Sequence, residues 1–364
     1  MKKIIIVVGT RPNFIKITQF DKIFAQYKEQ FEYRLVHTGQ HYDYNMSDVF
    51  FQQLKIRKPD YFLDIEPGTP TFQMGSIMIK LEKVLDDFKP DLVIVVGDVN
   101  STFAAAFTAY KKGIKIAHLE SGLRSDDRTM PEEINRILTD EISDYFFVTE
   151  ESGMENLRLK GKTDAQLFFV GNTMIDTLVA FDKEIDQSDA LTKMGLIPKS
   201  YALVTIHRPS NVDEIDNLKL TIDIITKVSQ LTKVVFPIHP RTLSKAAQFG
   251  LKEKLTENKN IILSEPMDYL GFQKLIKECS FVLTDSGGIQ EETTFRKVPC
   301  LTLRKNTERP VTVSIGSNEL LEFDANLIVA KTKEILSGNF KKGNIPTMWD
   351  GKATDRIVEK LLKM

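Results

Sequence analysis

Short runs rich in Val, Ile and Phe recur along the chain with helical patterns between them, and they do not alternate apolar with polar residues. In the first half they are KIIIVVGT (3–10), YRLVHTG (33–39), DLVIVVGD (91–98), KIAHLE (115–120), YFFVTE (145–150) and LFFVGN (167–172). A strand that is apolar on both faces has to be covered on both. That requirement selects a parallel sheet with helices above and below it. The pattern restarts at YALVTI (201–206) and continues through VVFPIH (234–239), IILSEP (261–266), FVLTDSG (281–287) and PCLTLR (299–304). Two α/β domains are therefore predicted, as a length of 364 residues against roughly 100–200 per domain also suggests. The polar, strand-free segment 182–200 puts the junction between about 172 and 200. We set the domains at 1–172 and 173–351, leaving a C-terminal stretch, about 352–364, with a helical apolar pattern.

Composition excludes several classes of partner. Lys plus Arg number 49 against 50 Asp plus Glu, a formal charge of -1, so there is no basic excess for a nucleic-acid surface and any anion site must be local. The opening MKKIIIVVGTRPNF lacks a helix-length apolar region and a small-residue cleavage site, and reads as a first strand. No apolar run approaches the roughly 18–20 residues that span a bilayer. Cys279 and Cys300 are too few for a disulfide framework, and a reducing, cytoplasmic setting is predicted.

Ligands of open parallel sheets bind beyond the carboxyl ends of the strands. The polar residues of this chain collect there: Thr10 and Arg11, Gly39-Gln40-His41, Asp98, Glu120, His207 and Arg208, His239, and Asp285 with Ser286. One such residue would be a turn former or helix cap, but seven such strand ends predict a site in a cleft between two domains.

The segment DSGGIQEE (285–292) follows an apolar run where a helix should start. Gly287 and Gly288 let backbone approach a ligand, the helix amides suit a phosphate, and Ser286 adds a hydroxyl. A carboxylate repels phosphate yet accepts two hydrogen bonds from vicinal sugar hydroxyls, so Glu291 or Glu292 would hold a ribose. A nucleoside diphosphate is implied. The plain alternative makes Ser286 an N-cap and the glutamates partners of the helix dipole.

The GTRPNFIK turn carries Arg and Pro where a dinucleotide-binding glycine turn is needed, and no Walker-type GxxxxGKS/T occurs, so neither NAD nor a P-loop nucleotide is expected. Arg11 and Lys16 would supply charge to a diphosphate. No metal is expected either, because His37 and His41 lack a helical HExxH context. Among the acids, Pro131 followed by Glu132 and Glu133 makes a good helix start, which accounts for one of that pair. Glu120 and Asp98 each end an apolar strand, and are expected to meet near one sugar ring, crowded enough to raise a carboxyl pKa.

Together, GTRPNFIK, HTGQHYD, GDVNST, HLESGLRS, MPEEINR, TIHRPSN, IHPRT, DSGGIQEE and RKNTERP resemble, in order and over nearly the whole chain, the non-hydrolysing UDP-N-acetylglucosamine 2-epimerases. The resemblance implies a GT-B architecture of two Rossmann-like domains, with the C-terminal helix crossing back to the first, and a homodimer. It also implies interconversion of UDP-GlcNAc and UDP-ManNAc without any cofactor. The implied route is anti elimination of UDP to a 2-acetamidoglucal, followed by re-addition. By motif, Asp98, Glu120 and Glu132 correspond to the catalytic carboxylates and His207 to an acid or charge stabiliser. Arg11, Lys16, Phe272, Ser286, Gly287, Gly288, Glu292 and Arg309 correspond to substrate contacts.

The chain departs from the family pattern at Asn13, where Glu is common, at Lys305, where Asp is common, and at Thr312, where an acid is frequent. The shortened loop LRSDDRTMPEE resembles both archaeal UDP-GlcNAc epimerases and the branch that acts on UDP-2,3-diacetamido-2,3-dideoxyglucuronate. A GT-B glycosyltransferase is the alternative from another class, and the three acids together argue against it. Gln40, Gln73, Arg208 and His239 resemble an activating second substrate site, yet Phe72 stands where an activated member has Arg, so weak or absent activation is implied.

Overall fold

The computed structural model describes residues 1–39 and 51–364. The chain divides into two compact units, Met1–Ala180 with Thr347–Met364, and Phe181–Pro346.

The first unit contains β1 (Lys2–Val8), β2 (Phe31–His37), β3 (Tyr61–Phe62), β4 (Leu92–Val96), β5 (Lys115–Leu119), β6 (Tyr145–Val148) and β7 (Leu167–Phe169), in sheet order β3-β2-β1-β4-β5-β6-β7. The second contains β8 (Tyr201–Thr205), β9 (Lys233–Pro237), β10 (Ile261–Ser264), β11 (Phe281–Thr284), β12 (Cys300–Leu303) and β13 (Asn318–Leu321), in order β10-β9-β8-β11-β12-β13. Every pairing is parallel. Both units are Rossmann-like and doubly wound, as expected. In each, the winding reverses once, between β1 and β4 and between β8 and β11, and at such points the two diverging strand ends leave a crevice.

Among the described residues, two strands escape the sequence pattern. β3 is a two-residue edge, too short to register as a run, and β13 reads NELL, with Asn and Glu in place of a β-branched start.

Helices cover the sheets with apolar stripes at helical spacing. Helix Pro70–Phe88 buries Ile77, Leu81, Val84, Leu85 and Phe88. Its start is fixed by Thr69, whose side chain accepts from the Phe72 amide, and by Pro at the first position. Lys89 in the left-handed region (φ 53°) ends it.

The C-terminal helix Ala353–Lys363 packs on helices Phe20–Phe24 and Thr173–Ala180 of the first unit and buries Ile357, Val358 and Leu361, each contributing about 1.5–3 kcal/mol. Asp176 accepts from the Ala353 and Thr354 amides and the Thr354 hydroxyl, capping that helix from another. Trp349, fully buried, donates to the Thr149 carbonyl at 2.9 Å. Among the described residues no helix is long and apolar enough to cross a membrane.

Candidate active site

The reversal point of the first sheet is built by the segments that follow β1, β4 and β5. Asn13 joins two of them. Its side-chain oxygen accepts from the Gly9 and Thr10 amides, both at 3.2 Å, and its nitrogen donates to the Val96 carbonyl at the end of β4. A glutamate at this position could accept but not donate, which gives the departure at Asn13 a structural purpose.

Lys16 lies just beyond helix Arg11–Ile15, and both it and Glu120 are buried. Its ammonium forms an ion pair with the Glu120 carboxylate. Glu120 has φ +69°, a conformation that costs a non-glycine residue about 1–3 kcal/mol and that is concentrated at functional sites. Arg11 is half-buried at the first position of its helix.

Asp98 accepts from Arg136 Nε and Nη2 at 3.0 and 2.8 Å, while Asn135 Nδ2 donates to its carbonyl. Glu133, on helix Pro131–Ile142, is fully buried. It pairs with Arg136 and accepts from the Ser125 amide and hydroxyl and the Asp126 amide, which ties down the preceding loop. Glu132, one residue earlier, is exposed. The structure thus separates the pair, with Glu133 internal and Glu132 presented to solvent. Each of the two strand-end carboxylates has its own cation, Arg136 for Asp98 and Lys16 for Glu120.

In the second unit, Asp285 ends β11 and reaches across the reversal point. It is completely buried and accepts from the His207 and Arg208 amides at 3.0 and 2.8 Å, from Asn211 Nδ2 at 2.9 Å, and lies 3.2 Å from His207 Nδ1. Burial alone would raise its pKa. The hydrogen bond and charge of His207, together with hydrogen bonds from the Arg208 amide and the Asn211 side chain, outweigh burial and hold the carboxyl below its usual range. The His207 ring, 46% exposed, is therefore oriented from beneath. His239 lies 6.0 Å from it, ring to ring, and is held below its usual pKa by burial and by the neighbouring His207 and Arg241.

Helix Gly287–Arg296 starts directly after Ser286, whose side chain makes no capping bond, so the hydroxyl is not consumed as an N-cap. A Cβ on Gly287 would stand 2.7 Å from Glu308 Oε1 and 2.8 Å from Arg309 Nη1, so the guanidinium lies against the start of this helix. Gly288 follows, half-buried. Arg309 is buried and paired with Glu308 and with Glu291. Glu291 thus belongs to an internal network. Glu292 is buried without that pairing, and burial pushes its carboxyl up to about 7 against the opposing influence of Gln273 and Arg296. Phe272 is half-buried on helix Tyr269–Glu278, at the margin of the core. Gln73 is half-buried on helix Pro70–Phe88, and Gln40 lies outside the described residues.

Arg136, Asn135 and Asp285 were not singled out for these roles from the sequence. A signal existed for one of them: Glu133, Arg136 and Asp140 recur at spacings of three and four, a polar stripe on a buried helix face. Among the described residues, no group of three or more His, Cys, Asp or Glu side chains is placed to hold a metal ion.

Residues 25–362 match the family described as UDP-N-acetylglucosamine 2-epimerase. The UDP-N-acetylglucosamine 2-epimerase of Methanocaldococcus jannaschii is 41% identical over 98% of both chains. A crystal structure of the M. jannaschii UDP-GlcNAc 2-epimerase in complex with UDP-GlcNAc and UDP matches all of both chains with a TM-score of 0.90 at 41% identity. The UDP-2,3-diacetamido-2,3-dideoxy-D-glucuronate 2-epimerase of Pseudomonas aeruginosa is 37% identical over the full length of both. The chain is a member of the UDP-N-acetylglucosamine 2-epimerase family, an enzyme of the isomerase type.

Proposed function

We propose that this enzyme interconverts UDP-GlcNAc and UDP-ManNAc, supplying precursors for cell-surface polysaccharide. The C2 hydrogen lies beside an acetamido group, not a carbonyl, so no enolate assists its removal, and departure of the group at C1 must help. A carboxylate takes the C2 proton as the C1–O bond breaks, releasing UDP and 2-acetamidoglucal. Return of the phosphate oxygen to C1, with protonation of C2 from the other face, completes the inversion. Two faces call for more than one acid/base group, and a diphosphate leaving group calls for anion donors.

The observation that carries this reading is the division of groups between the two reversal points. One sheet edge offers Asp98 and Glu120, with Glu132 exposed at a nearby helix start and Lys16 and Arg11 as cations. The other offers Ser286, Gly287 and Gly288 at a helix start, with Arg309 against it, His207 held by Asp285, and Glu292 and Phe272 for the nucleoside. The test is proton NMR with UDP-GlcNAc in D2O, without added NAD or metal. UDP-ManNAc carrying deuterium at C2 supports the reading, and unchanged C2 hydrogen with folded protein rejects it.

A second reading is favoured by the full-length likeness to the Pseudomonas enzyme: epimerisation of a UDP-2,3-diacetamido-2,3-dideoxyglucuronate sugar. Comparing turnover on the two UDP sugars decides between them. A cytoplasmic homodimer is also proposed from the family resemblance, and light scattering tests the dimer. With the exposed Phe72 in place of an arginine, and Gln40, Gln73, Arg208 and His239 as the second site, initial rates should rise hyperbolically with UDP-GlcNAc. A sigmoidal rise would reject weak activation.

A further inference from the structure

His118 is the penultimate residue of the apolar strand β5, and its side chain is completely buried. Each ring nitrogen faces an oxygen: Nδ1 is 2.7 Å from Asp140 Oδ1, and Nε2 is 2.8 Å from the Gly97 carbonyl. A carbonyl only accepts, so Nε2 carries a proton. Asp140 also accepts from the Gly122 amide at 3.2 Å and pairs with Arg124 at 2.7 Å. Burial would raise its carboxyl pKa, but His118 and Arg124 outweigh it and hold the carboxyl below its usual range. The Asp140 carboxylate, placed as an acceptor of the Gly122 amide and the Arg124 guanidinium, accepts from Nδ1 too, so both ring nitrogens stand as donors.

We propose that His118 is a positioning residue whose two ring N–H groups clamp the Gly97-Asp98 turn to β5 and to helix Pro131–Ile142.

What the clamp holds is the turn beside the two proposed acids. Gly97 has φ +68°, and a Cβ there would lie 3.2 Å from Lys16 Nζ, the partner of Glu120. Its amide donates to the Leu119 carbonyl, one residue before Glu120, and Asp98 comes next in the chain. The same helix that carries Asp140 also supplies Arg136 to the Asp98 carboxylate and Asn135 to its carbonyl. The ring fixes the backbone of this turn while Arg136 fixes the side chain. Among the described residues, the charged groups that neighbour it are Asp140 and, through Asp140, Arg124, while Lys16, paired with Glu120, stands beside Gly97.

This inference rests on the reading of Asp98 and Glu120 as catalytic, and its test separates the two. In full-length enzyme labelled with 15N-histidine, His118→Gln assigns the ring signals by their disappearance. Wild-type His118 is expected to show a hydrogen-bonded proton on each ring nitrogen in the folded enzyme. A ring nitrogen without its proton overturns the clamp, whatever the substrate proves to be. For positioning, His118→Gln keeps a donor toward Gly97 and His118→Asn keeps one toward Asp140. C2 exchange should fall about 100-fold in His118→Asn, the scale of loss expected from an ångström of misplacement, and by clearly less in His118→Gln. KM should be unchanged in both. Equal losses, or a loss confined to KM, overturn the positioning role. If the wild type exchanges no C2 hydrogen, the catalytic reading has failed and the NMR result still judges the ring.

Discussion

The Lys16 ammonium and the Glu120 carboxylate form an ion pair where both side chains are about nineteen-twentieths removed from water, 6% and 5% exposed. Each compensates the other's desolvation, so removing either should destabilise the protein, by up to about 3–5 kcal/mol for Lys16→Met. Glu120→Gln also removes the proposed acid/base group and is expected to lower C2 exchange by roughly 100- to 10,000-fold. Thermal unfolding and exchange rates on both variants check this. A Glu120→Gln enzyme with wild-type exchange would remove Glu120 from the chemistry.

Glu132 and Glu133 are adjacent and chemically identical, yet the helix turns one outward and the other into the protein. Glu133→Gln weakens the pair with Arg136 and the bonds to the 125–126 loop, and should cost about 1.5–3 kcal/mol of stability. Glu132→Gln should leave the melting temperature unchanged and reduce turnover by roughly 100-fold or more. A fully active Glu132→Gln enzyme would withdraw its proposed role.

Much of this was legible because burial on both faces writes itself into a strand as an unbroken apolar run. Each run read from the sequence has its strand, and among the described residues only the two-residue β3 and the polar-led β13 have no such signal. The gathering of polar residues at strand ends was visible for the same reason, since Asp98, Glu120 and Asp285 each interrupt an apolar stretch. Their partners were not. Arg136 meets Asp98 across 38 positions of sequence and His207 meets Asp285 across 78, and no local periodicity encodes a pairing between two crossover connections. Asn13 was read as a departure from a pattern, whereas its two-sided amide bridges β1 and β4.

Gly287 meets a neighbour that no side chain could tolerate without a shift. An alanine Cβ would stand 2.7–2.8 Å from Glu308 Oε1 and Arg309 Nη1, and both of those side chains are buried in a network with Glu291 and Arg304. Gly287→Ala should therefore move the guanidinium away from the helix start. Loss of about one charged hydrogen bond corresponds to roughly tenfold to hundredfold weaker UDP binding. Calorimetry with UDP measures it, and unchanged affinity would show that Arg309 does not reach the nucleotide.

Burial pushes the Glu292 carboxyl up to about 7 from an ordinary value of 4.5, and this makes stability depend on pH with a definite sign. Below about 4.5 the group is protonated in both the folded and unfolded chain and has no effect. Between about 4.5 and 7 the unfolded chain has released the proton and the folded one has not, so the folded state binds more protons and its stability falls as pH rises. Above 7 the full cost is present, on the order of 3 kcal/mol at 1.36 kcal/mol per pKa unit. Glu292→Gln should therefore be more stable than wild type at pH 8 and nearly equal to it at pH 4.5, as thermal unfolding at the two values would reveal. UDP should bind this variant more weakly, because an amide accepts from only one of two vicinal hydroxyls where a carboxylate accepts from both. A variant no more stable than wild type at pH 8 would mean that the Glu292 carboxylate is well compensated when ionised.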